Sequence, residues 1–240
     1  MLVSLSPRRR RLLACLGIPF EVCSVDTPED TSGPLASDPP ALASHLATEK
    51  ALAARAEGIG RDALVLTFDT IVIAESVLLG KPADEQDARR MLQMLSGNSH
   101  QVVTGAALLA PKEDLPTSFS VTSNVVMRQL SDARIDAWLA ADEYLGCAGA
   151  YNIEKDLARV GNFECYQNVC GLPLCHLARE LWAPRYAFCA AEIVSPVAAC
   201  NQMLGRSCKL GPRVVGGACV GVAERLQKTE AEHAGPASAG

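Results

Sequence analysis

Segments of strand character and segments of helix character alternate through residues 1–182, and a chain arranged in that way builds a sheet with helices packed on it. The run Ala63 to Thr67 is continuously apolar, has the length of a buried strand, and ends in Phe68-Asp69-Thr70. Ile71 to Ile73 and Val77 to Leu79, separated by Ala74-Glu75-Ser76, read as a hairpin. Pro7 directly after Ser6 marks a helix start, and Leu12, Leu13 and Leu16 give that helix an apolar face. Phe20 to Val25 alternates like a strand, and the Pro-, Ser-, Asp- and Gly-rich residues 26–40 are a loop. Ala41 to Glu57 is made of good helix formers with one apolar face. Asp84 caps a helix that runs to about Leu95, where Ser96-Gly97-Asn98 stops it. Strands are expected at about 100–109 and 118–129. A helix over 133–141 capped by Ser131-Asp132, short strands around 157–163 and 166–170, and a last helix from about Leu172 to Trp182 follow. The predicted fold is α/β, a mixed twisted sheet with flanking helices. Residues 183–227 show no clear period and 228–240 read as a disordered end, so an irregular C-terminal extension of unknown role (183–240) is expected after a domain of residues 1–182.

Composition narrows the function classes. The 240 residues are 49% hydrophobic and 20% charged, which is globular, and the net charge of −5 argues against a surface built to grip nucleic acid. No apolar run approaches the length of a membrane helix, so no membrane association is expected. The apolar stretch after Arg8-Arg9-Arg10-Arg11 is too short for a signal peptide, so the expected place is the cytoplasm. There the ten cysteines, which include no C-x-x-C pair, are thiols that act as small buried hydrophobes, and a zinc site is the weaker alternative.

Four features carry possible chemistry. Ser4-x-Ser6-Pro7-Arg8-Arg9 places hydroxyls and guanidinium groups at a helix start, a seat for phosphate, with a solvated basic turn as the alternative. Asp69 follows a buried run and is expected at a strand end, where α/β sheets hold ligands; a turn-forming aspartate is the alternative. Lys81 in Gly80-Lys81-Pro82 sits on a rigid turn that suits an anionic oxygen, with a solvated turn lysine as the alternative. Lys50, on the residues alone, is a snorkelling surface lysine. The four histidines show no ligand spacing, and G-x-S-x-G, G-x-G-x-x-G and Walker A patterns are absent. These features fit metal-assisted phosphoester or phosphoanhydride chemistry.

In order along the chain, Ser4-Leu5-Ser6-Pro7-Arg8-Arg9, Leu46-Ala47-x-x-Lys50-Ala51, Asp69-Thr70, Gly80-Lys81-Pro82, the block from Met91 to Gly105, Ala148-Gly149-Ala150-Tyr151 and Val169-x-Gly171-Leu172-Pro173-Leu174 resemble the motifs of the Maf family over residues 1–182. The resemblance implies a two-lobed, inosine triphosphate pyrophosphatase-like fold, often dimeric, so a homodimer is the assembly it suggests. It implies an enzyme that hydrolyses a nucleoside triphosphate to the monophosphate and pyrophosphate with a divalent metal, Mg2+ or Mn2+. In that scheme Asp69 and Lys81 are catalytic, and Ser6, Arg8, Arg9, Lys50, Thr70 and Glu154 hold the substrate. Asp69 and Glu29 would face the metal. Arg8 and Thr70 match positions that go with pyrimidine triphosphates such as dTTP and UTP. Three residues depart from the family pattern: Glu154 replaces a glutamine, Arg11 replaces an acid, and Phe68 replaces a small residue and is large enough to crowd the site. The departures motivate an alternative, a catalytically weak nucleotide-binding regulator of cell division that acts through protein contacts.

Overall fold

One long strand organises the molecule. The computed structural model describes residues 1–28, 30, 31, 33–186 and 193–216. The strands are β1 (Leu2–Val3), β2 (Val22–Cys23), β3 (Val65–Ala74), β4 (Val77–Leu79), β5 (Ser99–Leu109), β6 (Thr117–Met127) and β7 (Ala158–Val160). They form a mixed seven-stranded sheet in the order β2-β1-β3-β5-β6-β7, with β4 also on β3. β1 is parallel to β2 and β3; the other pairs are antiparallel.

β3 is longer than the apolar run that announces it. Asp69 does not end the strand but lies in its middle, because Ile71, Val72 and Ile73 continue the ladder with β5 and with β4. A polar pair interrupts the hydrophobic pattern without interrupting the backbone pairing. β5 lies along one edge of β3 from Val65 to Ile73. On the other edge β1 pairs only at Leu66 and Thr67 and β4 only from Val72 to Ala74. Residues 68–71 therefore have no strand on that edge.

Side chains of β3 alternate between two helical layers. Val65 and Ile71 face α2 (Pro39–Ala56), whose inner surface is Leu42, Ala43, Leu46, Ala47, Ala51 and Ala54. Leu66, Phe68 and Val72 face the larger core, which includes α1 (Pro7–Ala14), α3 (Glu85–Leu95), α4 (Asp132–Ala140) and, after the short α5 (Tyr166–Val169), α6 (Leu174–Leu181). α2 lies very close to the sheet: a Cβ built on Gly105 would fall 2.0 Å from the Ala43 carbonyl oxygen. Helix starts follow the expected caps. Ser6 accepts from Arg9 N–H, Asp84 from Asp87 N–H, and Ser131 from Arg134 N–H.

The strand expected at 166–170 is instead helix α5. Its alternation is inverted: Gln167 and Asn168 are the buried residues, at 3% and 0% exposure. The Asn168 amide donates to Val102 O and Ser123 Oγ, so the polar side chain points inward with partners.

The described part of the extension packs on the domain. Tyr186 is fully buried and donates its hydroxyl to Leu108 O at 3.3 Å. Val194 N–H donates to Leu16 O at 2.9 Å. A helix absent from the sequence reading, α7 (Pro196–Leu204), is capped by Ser195 and ends at Gly205 in the left-handed region. Cys200 is buried against Gln167. All eight described cysteines are free thiols, and burial pushes Cys200 up to about 11 and Cys165 up to about 12. Residues 217–240, including the end read as disordered, lie outside the described residues. Among the described residues no helix is long and apolar enough to cross a membrane.

Candidate functional site

The open stretch of β3 faces a cleft of about 510 Å³. Ser6, Arg8, Arg9, Lys50, Asp69, Thr70 and Lys81, which lie far apart in sequence, all line it. The fold explains how each arrives. β1 stops at Val3, and the chain turns through Ser4 and Leu5 into the N-terminus of α1, bringing Ser6, Arg8 and Arg9 over the gap that β1 leaves. The N–H of Gly149 donates to Gly80 O at 3.0 Å, which fastens the turn carrying Lys81 to the loop on the far side.

Consecutive residues of β3 serve opposite layers. Asp69, only 5% exposed, points toward α2 and forms an ion pair through Oδ1 with Lys50 Nζ. Lys50 shares the inward face of α2 with Ala43 and Ala47, so it is not a snorkelling surface side chain; its own exposure is 15%. Asp69 sits across from Gly105 in the ladder, and the bare backbone of Gly105 is what lets α2 come low enough for Lys50 to reach it.

Thr70 points the other way, toward α1. Arg9 donates from Nη2 to Thr70 Oγ1 at 3.0 Å, from Nε to Gly171 O at 2.9 Å, and from Nη1 to Ser4 Oγ at 3.4 Å. Thr70 and Thr104 hydroxyls are 2.9 Å apart, and Thr104 donates to Asn168 O, also at 2.9 Å. A hydroxyl has one proton, and Thr104 gives its proton to the carbonyl. Thr70 must therefore donate to Thr104 and accept from Arg9. The chain of bonds runs one way, from the Arg9 guanidinium through two threonines into the core. Gly171 has φ +91°, and a Cβ there would sit 3.2 Å from both Arg9 Nε and Thr70 Oγ1, so glycine is needed for this closure.

Two expectations change on inspection. Phe68 lines the cleft but is only 1% exposed: it packs in the core and offers its ring to the Arg9 guanidinium at 5.9 Å. Glu154 is not part of the cleft wall. Its carboxylate is ion-paired with Arg11, and that hydrogen bond raises the Arg11 pKa. The two departures at 11 and 154 are thus partners of one another. Glu29 lies outside the described residues.

Other contacts around the cleft carried no sequence signal as pairs. Arg8 donates to Cys147 Sγ at 3.4 Å, and burial raises the Cys147 thiol so that the sulfur is a neutral acceptor. Tyr151 lines the cleft and meets His100 Nε2 through its hydroxyl at 2.8 Å, with the two rings edge to face. Burial raises the Tyr151 phenol and lowers His100 to about 4, so both are neutral near pH 7. Their pairing follows from a ladder position on β5 and a loop, a contact that no local spacing reveals.

Comparison with known proteins places this architecture. The family described as Maf-like protein matches residues 1–183. The chain belongs to the Maf-like family. A Geobacter sulfurreducens protein named dTTP/UTP pyrophosphatase is 41% identical over 186 residues, which is 75% of this chain and 94% of that protein. A Bacillus cereus protein of the same name is 41% identical over 183 residues, covering 75% of this chain and 93% of its own length. One from Bacillus anthracis is 40% identical over 183 residues with the same coverage. Membership in the Maf-like family accounts for the ordered motifs that line the cleft.

Proposed function

We propose that the chain hydrolyses nucleoside triphosphates, with dTTP- and UTP-like pyrimidine nucleotides as substrates, to the nucleoside monophosphate and pyrophosphate. The observation that carries this reading is the Lys50–Asp69 pair on the open edge of β3, inside a cleft lined by Arg8, Arg9 and Lys81. The names of the Maf-like relatives support the substrate class.

The chemistry assigned to each group follows from its type. A carboxylate accepts through two oxygens. With Oδ1 held by Lys50, Oδ2 of Asp69 takes a proton from the attacking water as oxygen joins phosphorus. The anhydride bond between the α and β phosphates breaks, and its bridging oxygen leaves with pyrophosphate. Lys81 and Arg8 offset the charge gathering on that leaving group. Ser6 Oγ accepts from Arg9 N–H at 3.4 Å, which leaves its own O–H to donate to a phosphate oxygen. Arg9 orients Thr70 and the Gly171 loop, and its charge adds to the field in the cleft.

A divalent cation, Mg2+ or Mn2+, belongs to this reading, and the donor set suits it. Among the described residues no group of three or more His, Cys, Asp or Glu could cage an ion, whereas Asp69 and Asp26 both line the cleft. One or two carboxylates together with substrate phosphates are what Mg2+ commonly takes. Asp69 would hold the ion, with Glu29 as the second carboxylate that the resemblance suggests. When bound it would neutralise phosphate charge and polarise the phosphoryl oxygen.

A cytoplasmic place and a homodimer go with the same reading; the free thiols support the first. The rival reading, a regulator without turnover, draws on Phe68, Arg11, Glu154 and the C-terminal extension. Phe68 packs in the core and Arg11 pairs with Glu154 outside the cleft lining, so these departures remove no charged group from the cleft. The deciding experiment is product analysis over a panel of nucleoside triphosphates with Mg2+ or Mn2+. Equimolar monophosphate and pyrophosphate is expected, and folded protein that binds but converts none of the nucleotides overturns the reading.

A further inference from the structure

The residues that line the cleft are of two chemical kinds. Lys50, Asp69, Lys81 and the arginines of α1 carry charge. The loop from Leu145 to Ile153, which Arg8 touches at Cys147 and the Lys81 turn touches at Gly149, contributes apolar lining apart from Asn152 and the Tyr151 hydroxyl, which is already bound to His100. Leu5 and Leu145 both line the cleft yet are 68% and 61% exposed, so two large apolar side chains stand at the site largely uncovered by the described residues. An aromatic base is the part of a nucleotide that would cover such surface.

Asn152 is oriented by its own turn. It caps the 3-10 turn Ile153–Lys155, and its Oδ1 accepts from the Glu154 N–H at 3.1 Å. A backbone N–H can only donate, so the amide oxygen faces the turn and the NH2 group faces away from it. Among the described residues that NH2 donates to no protein atom. Glu154, the neighbouring candidate for reading the base, is held by Arg11.

We propose that Asn152 sets base specificity: its Nδ2 donates to the 4-carbonyl oxygen of uracil or thymine while Leu5 and Leu145 cover the base faces. The inference rests on the nucleotide reading above. Uracil and thymine present an acceptor at position 4, and cytosine presents an amino donor there. A donor fixed by its cap therefore favours the first two and opposes the third, and a group left unpaired against the wrong base is what discrimination costs.

The test is the ratio of kcat/KM for UTP to that for CTP. Asn152→Asp keeps the cap, since aspartate caps as well as asparagine, and turns the donor into an acceptor. It is expected to lower the ratio by about tenfold or more. Any general repulsion of the triphosphate by the new carboxylate cancels in the ratio. Glu154→Gln is expected to leave the ratio at the wild-type value, and Leu145→Ala to raise KM for both nucleotides with kcat retained. An unchanged ratio in Asn152→Asp, or a change confined to Glu154→Gln, overturns the proposal. The same comparison by calorimetry with UMP and CMP separates the two readings: an enzyme without turnover that still shows the Asn152-dependent preference leaves this inference standing and removes only the hydrolysis.

Discussion

The two edges of β3 have been put to opposite uses. Along one edge β5 pairs without a break from Val65 to Ile73. Along the other, β1 and β4 each take a short piece and leave residues 68–71 between them. The continuous edge carries the core and the close approach of α2. The interrupted edge carries Asp69 and Thr70, facing a cleft that the helix start of α1 overhangs. Stopping a neighbouring strand after two residues creates a site without weakening the strand that bears it, because the other edge holds that strand in register.

If that division is right, damage on the β5 side breaks the fold first and the chemistry only as a result. Gly105→Ala is the harshest test, because the new methyl would meet the Ala43 backbone, which has no rotamer to change. A loss of more than about 3 kcal/mol is expected, read as a lowered unfolding midpoint or insoluble protein. A stable Gly105→Ala protein would show that α2 can lift off the sheet. Truncation after Trp182 comes next. It removes Tyr186 from its contact with Leu108 of β5 and strips the helix that covers Gln167, so a loss of about 3 kcal/mol is expected in thermal unfolding.

His100, also on β5, gives the comparison a pH signature. Burial lowers its folded pKa to about 4 from a free value of 6.5. The unfolded chain therefore binds the proton more readily between those values, and stability present above pH 6.5 is lost as pH falls toward 4. At pH 5 the cost is about 2 kcal/mol. Denaturant unfolding at pH 8 and pH 5 should show it, and His100→Gln should flatten the dependence by that amount. The smallest effect is expected at the residue that joins the two edges. Thr104→Val leaves the Asn168 carbonyl and Thr70 without their partner, for about 1 to 2 kcal/mol, and should also reduce turnover several-fold by loosening Arg9. Thr104→Ser should restore both; if Val matches wild type in both, the relay has no role.

Much of this was legible in the chain. Caps at Ser6, Asp84 and Ser131 announced three helices because capping is local chemistry. Asp69 was legible as a site residue but misplaced at a strand end, because a polar pair breaks a hydrophobic pattern while leaving the ladder intact. α5 was hidden because Gln167 and Asn168 face inward, where polarity normally means outward. α7 carries the same Ser-Pro start as α1 and a glycine stop, but it buries only Pro196 and Cys200, which leaves little apolar face to announce it. Lys50 looked superficial since only tertiary packing, with α2 lowered onto Gly105, shows that its face is the inner one. The Arg11–Glu154 pair joins residues 143 apart in sequence, and no spacing rule connects them.

The most direct measurement of the central claim is pyrophosphate release by Asp69→Asn beside wild type, with far-UV circular dichroism and thermal unfolding on the same samples. The open edge is held to carry the reaction and not the fold. The variant should lose about 10²-fold or more in rate while keeping its secondary structure and a single cooperative transition. Near-wild-type release, or a loss of activity that appears only together with loss of the folded state, would contradict the account.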